Sequence, residues 1–266
     1  MADAQYEPTP SIPVSELFSL KGQVALVTGG TRGIGEACAI ALAEVGASIC
    51  LAQRNPAHTT VQDKIRTLNV RCEILPCDLG DLEAVKTLFD RALELMGGEI
   101  HILFNCGGMQ YRAPAVDFPE EKWDEIINVN LKSLFLVSQA AGRHMVPRHR
   151  GKIINIASLT TFIGGVSIPA YASSKGAVGQ LTKALRNEWS RHNVQVNAIA
   201  PGYIATEINA DLRADETQFR QLSERIPAGR WGTPADFAGP TVFLASAASQ
   251  YISGEVMVVD GGFLGR

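Results

Sequence analysis

The sequence alternates short apolar segments with longer segments of helical periodicity, and this alternation restricts the fold more than any other feature. The short segments are continuous apolar runs, which is typical of strands buried on both faces of a parallel sheet. They span residues 24–28, 47–52, 71–76, 100–105, 152–157, 194–199 and 256–260. Because helical patterns separate them, we predict an α/β fold with a doubly wound parallel sheet of about seven strands and helices on both faces.

The organisation of the chain favours one domain preceded by an arm. A chain of 266 residues with 46% hydrophobic content can bury about three quarters of its unfolded surface, and no change of composition marks a linker. Residues 1–19 contain several prolines, so we predict a flexible arm there and a single domain over 20–266. Residues 203–232 are a polar, helical interruption of the alternation, and at the carboxyl edge of a sheet we expect them to form a lid over a ligand.

Charge and cysteine content exclude several classes of partner and compartment. The net charge is −3 and the basic residues are scattered, so we do not expect nucleic-acid binding. The apolar runs are much shorter than the ~20 residues that cross a bilayer, and the first residues lack the pattern of a secretory signal. Five cysteines without a C-x-x-C suit free thiols in a reducing compartment. We therefore expect a soluble, cytoplasmic protein.

The first predicted strand leads into TGGTRGIG, a turn that favours a phosphate-bearing ligand. Gly29, Gly33 and Gly35 lack side chains, so a phosphate can approach the backbone and the N-terminus of the next helix. The spacing differs from the G-x-G-x-x-G of the commonest dinucleotide fingerprint. Gly30 and Gly35 have Walker-A spacing, but Glu36 stands where a P-loop has lysine, which disfavours a nucleoside triphosphatase.

A phenol and an ammonium lie four residues apart in YASSK, residues Tyr171 to Lys175. Positions i and i+4 share one helix face, so the two groups can meet, although such a pair is also common on protein surfaces. An ammonium about 4 Å away contributes roughly 4 kcal/mol at an effective dielectric of 20, or about three pKa units before desolvation. We therefore expect Lys175 to lower the pKa of Tyr171 toward neutrality.

These motifs, in this order and at these distances, resemble the short-chain dehydrogenase/reductase family from about residue 20 to the C-terminus. The matching segments are TGGTRGIG, CDL after the third strand, NCGG at 105–108, NVN ending at Asn130, Ser158, YASSK and PGYIAT at 201–206. RIPAGRWG and VDGGF resemble the branch of the family that acts on keto-sugar acids. One departure is visible: the usual Asn-Asn-Ala-Gly of the family is NCGG here, with Cys106 and Gly107 in the middle positions.

The resemblance implies a catalytic set of Asn130, Ser158, Tyr171 and Lys175 on a Rossmann-type fold. Tyr171 would exchange a proton with the substrate oxygen, and Ser158 would hydrogen-bond the same oxygen. Lys175 would also hold the nicotinamide ribose, and Asn130 would hold a water that passes protons to Lys175. The implied reaction is the reversible, cofactor-dependent reduction of a ketone to a secondary alcohol.

The resemblance also implies a nicotinamide dinucleotide site. Its residues would be Gly29, Thr31, Arg32, Gly33, Ile34, Gly35, Arg54, Asn55, Asp78, Leu79, Asn105, Gly107, Tyr171, Lys175, Pro201, Gly202, Ile204 and Thr206. Rossmann sites that select NAD place an acidic residue at the end of the second strand, whereas this chain has Gln53 followed by Arg54. Arg54 and Arg32 could converge on a 2′-phosphate, so we predict that NADP(H) is preferred and NAD(H) possible. The alternative is that Arg54 stacks on adenine or faces solvent.

The substrate is open between two classes of small carbonyl compound. Arg112 could pair with a carboxylate, which together with the resemblance favours a keto-sugar acid, although it could also be a solvated loop arginine. Met109, Phe162 and Tyr203 could line the pocket, and they would equally suit a 3-oxoacyl or polyketide-type ketone. A non-catalytic NAD(P)-binding sensor is a further alternative, which the intact catalytic set disfavours.

Other chemistries have little support in the sequence. Ser158 is not in a G-x-S-x-G elbow, which disfavours a hydrolase. The five histidines form no H-E-x-x-H and have no suitable cysteine spacing, so we expect no metal site. Helices 119–146 and 170–191 carry small and apolar residues on more of their surface than one sheet can cover. Together with the resemblance, this predicts a homotetramer in which the C-terminal VDGGFLGR forms a second interface.

Overall fold

The computed structural model describes residues 11–266, with the side chain of Asp211 outside that description. One parallel sheet contains seven strands in the order β3-β2-β1-β4-β5-β6-β7. The strands are β1 Val24–Thr28, β2 Ser48–Gln53, β3 Cys72–Pro76, β4 Ile102–Asn105, β5 Gly151–Ile156, β6 Val194–Pro201 and β7 Val256–Val259. The predicted seven-stranded doubly wound sheet is therefore confirmed.

Helices cover both faces of this sheet. They are α1 Gly33–Glu44, α2 Thr60–Arg66, α3 Leu82–Met96, α4 Glu120–Ile127, α5 Ser133–Met145, α6 Pro169–Trp189, α7 Ala210–Ala214, α8 Glu216–Glu224 and α9 Ala238–Ala245. One buried cluster packs α1, α2 and α9 against the sheet, and another packs α3, α5 and α6 against it. Within residues 11–266, no helix is long and apolar enough to cross a membrane.

Local sequence explains where several helices begin and end. The side chain of Asp81 accepts hydrogen bonds from the backbone N–H groups of Glu83 and Ala84 at the start of α3, which is a typical N-cap. That helix ends at Gly97, whose φ of 89° is a left-handed conformation that glycine adopts without strain. Pro169 stands in the first turn of α6, where its missing N–H has no helical partner to lose.

The strand order places a binding crevice at one edge of the sheet. β1 pairs with both β2 and β4, with Thr28 opposite Ala52 on one side and Asn105 on the other. The order reverses between β1 and β4, and ligands of open α/β sheets bind at the carboxyl ends of strands at such a point. Most of the segments identified from sequence follow carboxyl ends of strands or lie in the first turns of the helices after them, whereas NVN lies between α4 and α5.

Two predicted segments lie outside the regular alternation of the fold: the lid at 203–232 and the N-terminal arm at 1–19. The lid contains a short 3₁₀ turn at Glu207–Asn209 followed by α7 and α8. Residues 1–10 of the arm lie outside the described residues, and residues 11–19 form coil and turn that is mostly exposed. Leu20 is fully buried and donates its N–H to the carbonyl of Val45, so the packed part of the chain begins there.

Candidate active site

The glycine-rich turn after β1 closes so tightly that side chains are excluded from it. A Cβ on Gly35 would lie 2.1 Å from the carbonyl oxygen of Gly29, and one on Gly29 would lie 2.7 Å from the Cα of Gly107. Gly29 and Gly33 have φ of 69° and 57°. The α1 N-cap, Arg32, makes no side-chain capping bond, so the first N–H groups of α1 remain available to an anion. These features fit the pyrophosphate of a dinucleotide.

The loop after β2 is fastened by Gln53 and presents Arg54. Gln53 is 5% exposed, and its amide nitrogen donates to the carbonyls of Asn55 at 2.7 Å and His58 at 3.0 Å. Asn55 in turn accepts a hydrogen bond from the N–H of Ala57 at 2.9 Å. Arg54 is exposed and has no carboxylate partner among residues 11–266. The residue at the NAD-selecting position is thus a neutral side chain that stabilises its own loop.

The side chain of Arg32 is paired with a carboxylate rather than left unpaired beside the loop that carries Arg54. Its guanidinium Nη1 forms an ion pair with the carboxylate of Glu207 in the lid, and both side chains are largely exposed. Arg32 therefore has a carboxylate partner, whereas Arg54 has none within the described range, and the convergence of the two guanidinium groups on a 2′-phosphate stays a prediction. The sequence could not reveal this pair, because 175 positions separate its members.

The end of β4 is held by a buried polar network. The amide nitrogen of Asn105 donates to the hydroxyl of Ser138 at 3.1 Å and to the amide oxygen of Asn155 at 2.9 Å. The amide nitrogen of Asn155 donates to Thr182 at 3.0 Å. Every amide in this chain of contacts has a partner, so the network holds the ends of β4 and β5 in place. Asn105 is predicted as a cofactor residue, but its side chain is used within the protein.

The packing around Cys106 and Gly107 shows how the structure accommodates the departure from the family pattern. Both N–H groups donate to the hydroxyl of Thr28 at 3.2 Å. A Cβ on Gly107 would lie 2.2 Å from a terminal methyl of Leu79, so glycine here leaves room for that leucine. Burial raises the pKa of the Cys106 thiol to about 12, and a protonated thiol is a poor nucleophile. Asp78, beside Leu79, is exposed and accepts the N–H of Gly80 at 2.9 Å.

Asn130 lies in a π turn between α4 and α5 that spans Asn128–Lys132. It is completely buried, and its amide oxygen accepts the N–H of Met109 at 2.8 Å. Its amide nitrogen donates to the carbonyl of Met109 at 2.9 Å and to the hydroxyl of Ser174 at 3.2 Å. Ser174 donates to the carbonyl of Tyr171 at 2.8 Å. The Asn130 side chain therefore ties the loop after β4 to the first turn of α6.

Ser158, Tyr171 and Lys175 come together where the carboxyl end of β5 meets the first turns of α6. The hydroxyl of Ser158 accepts the N–H of Thr160 at 3.2 Å, which orients it. The ammonium of Lys175 lies 5.8 Å from the ring centroid of Tyr171 and donates to the carbonyl of Ile156 at 2.6 Å. Lys175 is 4% exposed. The geometry thus brings the three predicted side chains into one cluster, in which Ser158 and Lys175 are buried and Tyr171 is partly buried.

The expected depression of the Tyr171 pKa is wrong in this arrangement. Burial raises the pKa of Tyr171, and hydrogen bonding with Ser158 and the charge of Arg112 oppose that rise only in part. Burial also lowers the pKa of Lys175 to about 8. The estimate from spacing assumed an ammonium aimed at the phenol, whereas the carbonyl of Ile156 holds Lys175. Desolvation of the phenol therefore outweighs the Coulomb attraction.

The charge of Arg112 acts on two phenols, those of Tyr171 and Tyr203. Its charge lowers the pKa of both Tyr171 and Tyr203, although burial has the larger, raising effect on each. With its amide oxygen turned toward the guanidinium, Gln110 accepts hydrogen bonds from Arg112 Nε at 3.2 Å and Nη2 at 2.9 Å. The structure thus places one cation where its charge acts on the phenol of Tyr171, and a guanidinium is a suitable partner for a carboxylate.

The other predicted pocket residues divide between the site and the lid core. Phe162 is 49% exposed at the rim. The ring of Tyr203 packs against Trp231 and Phe263, with centroids 5.3 and 5.1 Å apart. The indole N–H of Trp231 donates to the hydroxyl of Ser223 at 2.9 Å, so Trp231 fastens α8 rather than lining a pocket.

The segment that follows β6 joins the lid to the glycine turn. Gly202 lies so close to Asp260 that a Cβ would be 2.7 Å from its Cα. Ile204 is 3% exposed, and a methyl of Thr206 lies 3.4 Å from the position of a Cβ on Gly33. Among the predicted residues Pro201, Gly202, Ile204 and Thr206, it is therefore Thr206 that lies beside the glycine turn, next to Gly33. Across the described residues, no group of three or more His, Cys, Asp or Glu side chains is arranged to hold a metal ion.

Sequence reasoning missed the residues that support these side chains. They are Gln110, Ser138, Asn155, Ser174, Thr182 and Glu207. Asn155 offered one signal, because it is a polar residue within an apolar run that aligns with Asn105 at the end of the neighbouring run. Gln110 contacts Arg112 within one loop, whereas the partners of Ser138, Ser174, Thr182 and Glu207 lie on different elements, so no pattern along the chain reveals them.

Comparison with known proteins covers nearly the whole chain. Residues 29–264 match the protein-family model described as enoyl-(acyl carrier protein) reductase. The 2-dehydro-3-deoxy-D-gluconate 5-dehydrogenase of Bacillus subtilis (strain 168) is 48% identical over 252 residues, which cover 94% of this chain and 98% of that protein. The gluconate 5-dehydrogenase of Gluconobacter oxydans (strain 621H) is 42% identical, with 93% and 96% of the two chains covered.

A solved structure matches the fold at similar identity. The gluconate 5-dehydrogenase of Burkholderia cenocepacia J2315, crystallised in complex with NADP and tartrate, superposes with a TM-score of 0.90 and is 40% identical. The match covers 94% of this chain and 98% of that one. The likeness therefore extends over nearly the whole of both chains.

Proposed function

Because this chain belongs to the short-chain dehydrogenase/reductase family, we propose that it is an NADP(H)-dependent oxidoreductase that reversibly reduces a keto-sugar acid to its secondary alcohol. The observation that carries the proposal is the cluster of Ser158, Tyr171 and Lys175 after β5, in which the ammonium of Lys175 lies 5.8 Å from the ring centroid of Tyr171. Ser158 and Tyr171 would supply a hydrogen bond and a proton to the substrate oxygen, and Arg112 would pair with the substrate carboxylate. The names of relatives that act on gluconate derivatives support the same class.

The residues around the glycine turn would hold the cofactor. The N–H groups at the start of α1 would bind its pyrophosphate, and the loops beginning at Arg54, Asp78 and Gly107 would enclose its adenosine half. Lys175 and the segment from Pro201 to Thr206 would hold the nicotinamide half. When bound, the nicotinamide supplies or accepts the hydride.

Tyr171 supplies the proton in this mechanism. Because burial raises its pKa, the phenol is protonated at neutral pH and can donate to the carbonyl oxygen of the substrate as that oxygen gains negative charge. The hydroxyl of Ser158, oriented by the N–H of Thr160, donates a second hydrogen bond to the same oxygen. Lys175 places a positive charge beneath this site, which favours the phenolate after the transfer.

Arg112 would select the acid. A guanidinium binds a carboxylate through paired, charge-assisted hydrogen bonds, and Gln110 accepts two hydrogen bonds from this guanidinium. A less polar 3-oxoacyl or polyketide-type ketone is the second candidate, supported by the exposed Phe162 at the rim. Initial rates on keto-deoxy sugar acids and on neutral aliphatic ketones distinguish the two, because only the acids need Arg112.

The cofactor preference would come chiefly from Arg54. A neutral Gln53 does not repel a 2′-phosphate, and Arg54 follows it at the exposed end of β2. Hydrogen bonds to charged groups contribute about 1.5–3 kcal/mol, so we expect a preference for NADPH over NADH of roughly ten- to a thousandfold in kcat/KM. Arg54→Ala should reduce that preference selectively. A wild-type preference for NADH would contradict the assignment.

The test of the mechanism is Tyr171→Phe. This variant keeps the ring but removes the proton, so turnover of the keto acid should fall by ~10² or more while NADPH binding, followed by fluorescence, persists. Near-normal turnover would refute the role of Tyr171. A wild-type protein that binds NADPH but oxidises it with no carbonyl compound would support the sensor alternative instead.

We also propose a cytoplasmic homotetramer. Trp123 on α4 and Phe135 on α5 are 38% and 36% exposed, and Val258 on the edge strand β7 is 39% exposed. Apolar side chains at these positions suit contacts between copies of the chain. All five cysteines are free thiols, which supports a reducing compartment.

A further inference from the structure

The ion pair between Arg32 and Glu207 is the direct polar link between the glycine turn and the lid. Arg32 immediately precedes α1, and Glu207 begins the 3₁₀ turn of the lid. The two side chains are 69% and 71% exposed, so each can change partner without disturbing the core. Thr206 also rests on Gly33, with its methyl 3.4 Å from the position of a Cβ there. The lid therefore begins against the same turn that would bind the cofactor.

Arg32 and Arg54 lie at the same edge of the sheet but in different electrostatic settings. The strands that precede them, β1 and β2, pair in register up to Thr28 and Ala52. Arg54 has no carboxylate partner within residues 11–266, whereas Arg32 is neutralised by Glu207. A 2′-phosphate entering this region meets one unpaired guanidinium, a second one that is already paired, and the negative charge of Glu207 itself.

We propose that Glu207 limits the recognition of the 2′-phosphate by competing with it for Arg32, and that binding of this phosphate thereby releases the start of the lid. The inference rests on the NADP(H)-dependent function proposed above. A phosphate has more charge than a carboxylate and accepts paired hydrogen bonds from a guanidinium, so it can displace Glu207. A cofactor without a 2′-phosphate leaves the ion pair intact. Glu207 is thus a specificity-determining residue outside the expected cofactor site.

The test uses ligands that isolate the phosphate from catalysis. Calorimetric titration of the full-length protein with 2′,5′-ADP and with 5′-AMP gives the contribution of the 2′-phosphate as a ratio of dissociation constants. Glu207→Gln should tighten 2′,5′-ADP by about two- to fivefold, the effect expected of one exposed ion pair, and leave 5′-AMP unchanged. Glu216→Gln, which removes an exposed lid carboxylate at the start of α8, is the matched control and should change neither.

Two further measurements separate competition for Arg32 from simple removal of a negative charge. In an Arg32→Ala background, Glu207→Gln should lose most of its effect on 2′,5′-ADP, because the guanidinium for which it competes is absent. Hydrogen exchange of the amides at 207–209 should be faster in the wild type with 2′,5′-ADP than with 5′-AMP. That difference should disappear in Glu207→Gln.

Each outcome has a defined meaning. If the wild type prefers 2′,5′-ADP but Glu207→Gln leaves the ratio unchanged, or changes it equally with and without Arg32, the competition is refuted and the NADP(H) assignment stands. If the wild type binds the two ligands equally, both the competition and the NADP(H) preference are refuted. Oxidoreductase activity toward keto acids is measured separately and does not depend on this result.

Discussion

At the scale of single residues, burial decides the protonation of the groups that would perform the chemistry. The phenol of Tyr171 is protonated at neutral pH because burial raises its pKa. Burial lowers the pKa of Lys175 to about 8. Tyr171 therefore carries a proton that it can donate. The ammonium of Lys175 beside it loses its proton, and with it the positive charge, in mildly alkaline solution. Both shifts favour carbonyl reduction at neutral pH.

The pH dependence of the two directions should differ accordingly. Reduction requires protonated Tyr171 and charged Lys175, so kcat/KM for the keto acid should be level up to about pH 8 and fall above it as Lys175 loses its proton. Oxidation of the alcohol requires the phenolate and should increase with pH. Initial rates in both directions from pH 6 to 10 provide the check. A reduction rate that increases between pH 8 and 10 would contradict these protonation states.

Lys152 has a similar shift without a role in the proposed mechanism. It is 7% exposed, its ammonium donates to the hydroxyl of Ser249 at 3.3 Å, and burial lowers its pKa to about 8. Below pH 8 the amine is protonated in both the folded and the unfolded chain, so the full cost of burying the charge is present. Between about 8 and 10.5 only the unfolded chain retains the proton, and folding stability from this group increases with pH.

We predict that Lys152→Met stabilises the protein at pH 7. The variant keeps the length of the side chain and removes the buried charge, and Ser249 still donates to the carbonyl of Leu244. The free energy of unfolding should increase by about 2–3 kcal/mol, with a smaller gain at pH 9.5. Urea unfolding at the two pH values measures both. An equal gain at pH 7 and pH 9.5 would show that packing, rather than the buried charge, accounts for the difference in stability between wild type and variant.

At the scale of secondary-structure elements, the π turn at Asn128–Lys132 positions a side chain that joins two segments of the site. It connects α4 to α5, and the extra residue in such a turn changes which side chains face inward. Here it places Asn130 between the loop after β4 and the first turn of α6. The backbone at Met109 and the hydroxyl of Ser174 satisfy all the hydrogen-bonding groups of that amide.

Asn130→Ala should therefore disturb both stability and catalysis. Buried groups at Met109 would lose their partner, and each unsatisfied group costs about 1–3 kcal/mol, so we expect a loss of roughly 2–3 kcal/mol in the free energy of unfolding. Turnover should fall more than cofactor affinity, because α6 would lose a contact next to Tyr171. Asn128→Ala, in the same turn, serves as the control and should lose less than half as much stability. Equal losses would assign the effect to the turn itself.

At the scale of the whole molecule, apolar residues of α4, α5 and β7 are exposed on the surface of the single chain, where a second copy could bury them. A homotetramer predicts a mass of about four times the 28.6 kDa of one chain in light scattering at micromolar concentration. Phe135→Glu should reduce that mass, because it introduces a charge at an apolar contact. Leu68→Glu, at an apolar position of similar exposure after α2, should not. A monomeric wild type would refute the assembly.

The sequence alone predicted the layout of the fold well. Continuous apolar runs separated by helical patterns identified all seven strands, with boundaries shifted by at most two residues; β4, for example, begins at Ile102 rather than at residue 100. The motifs placed Ser158, Tyr171 and Lys175 together, and the structure brings them into one cluster. These features could be predicted because period and spacing along the chain translate directly into faces of strands and helices.

Tertiary structure alone decided the electrostatics of the site. The direction of the Tyr171 pKa shift depends on how deeply the phenol is buried and on where Lys175 points, and neither is set by a spacing of four residues. The partner of Arg32, the contacts of Asn130 and the network from Ser138 to Thr182 join elements that are remote in sequence. Desolvation and long-range pairing depend on three-dimensional distance, so a pattern along the chain specifies which groups are present but not their charge or their partners.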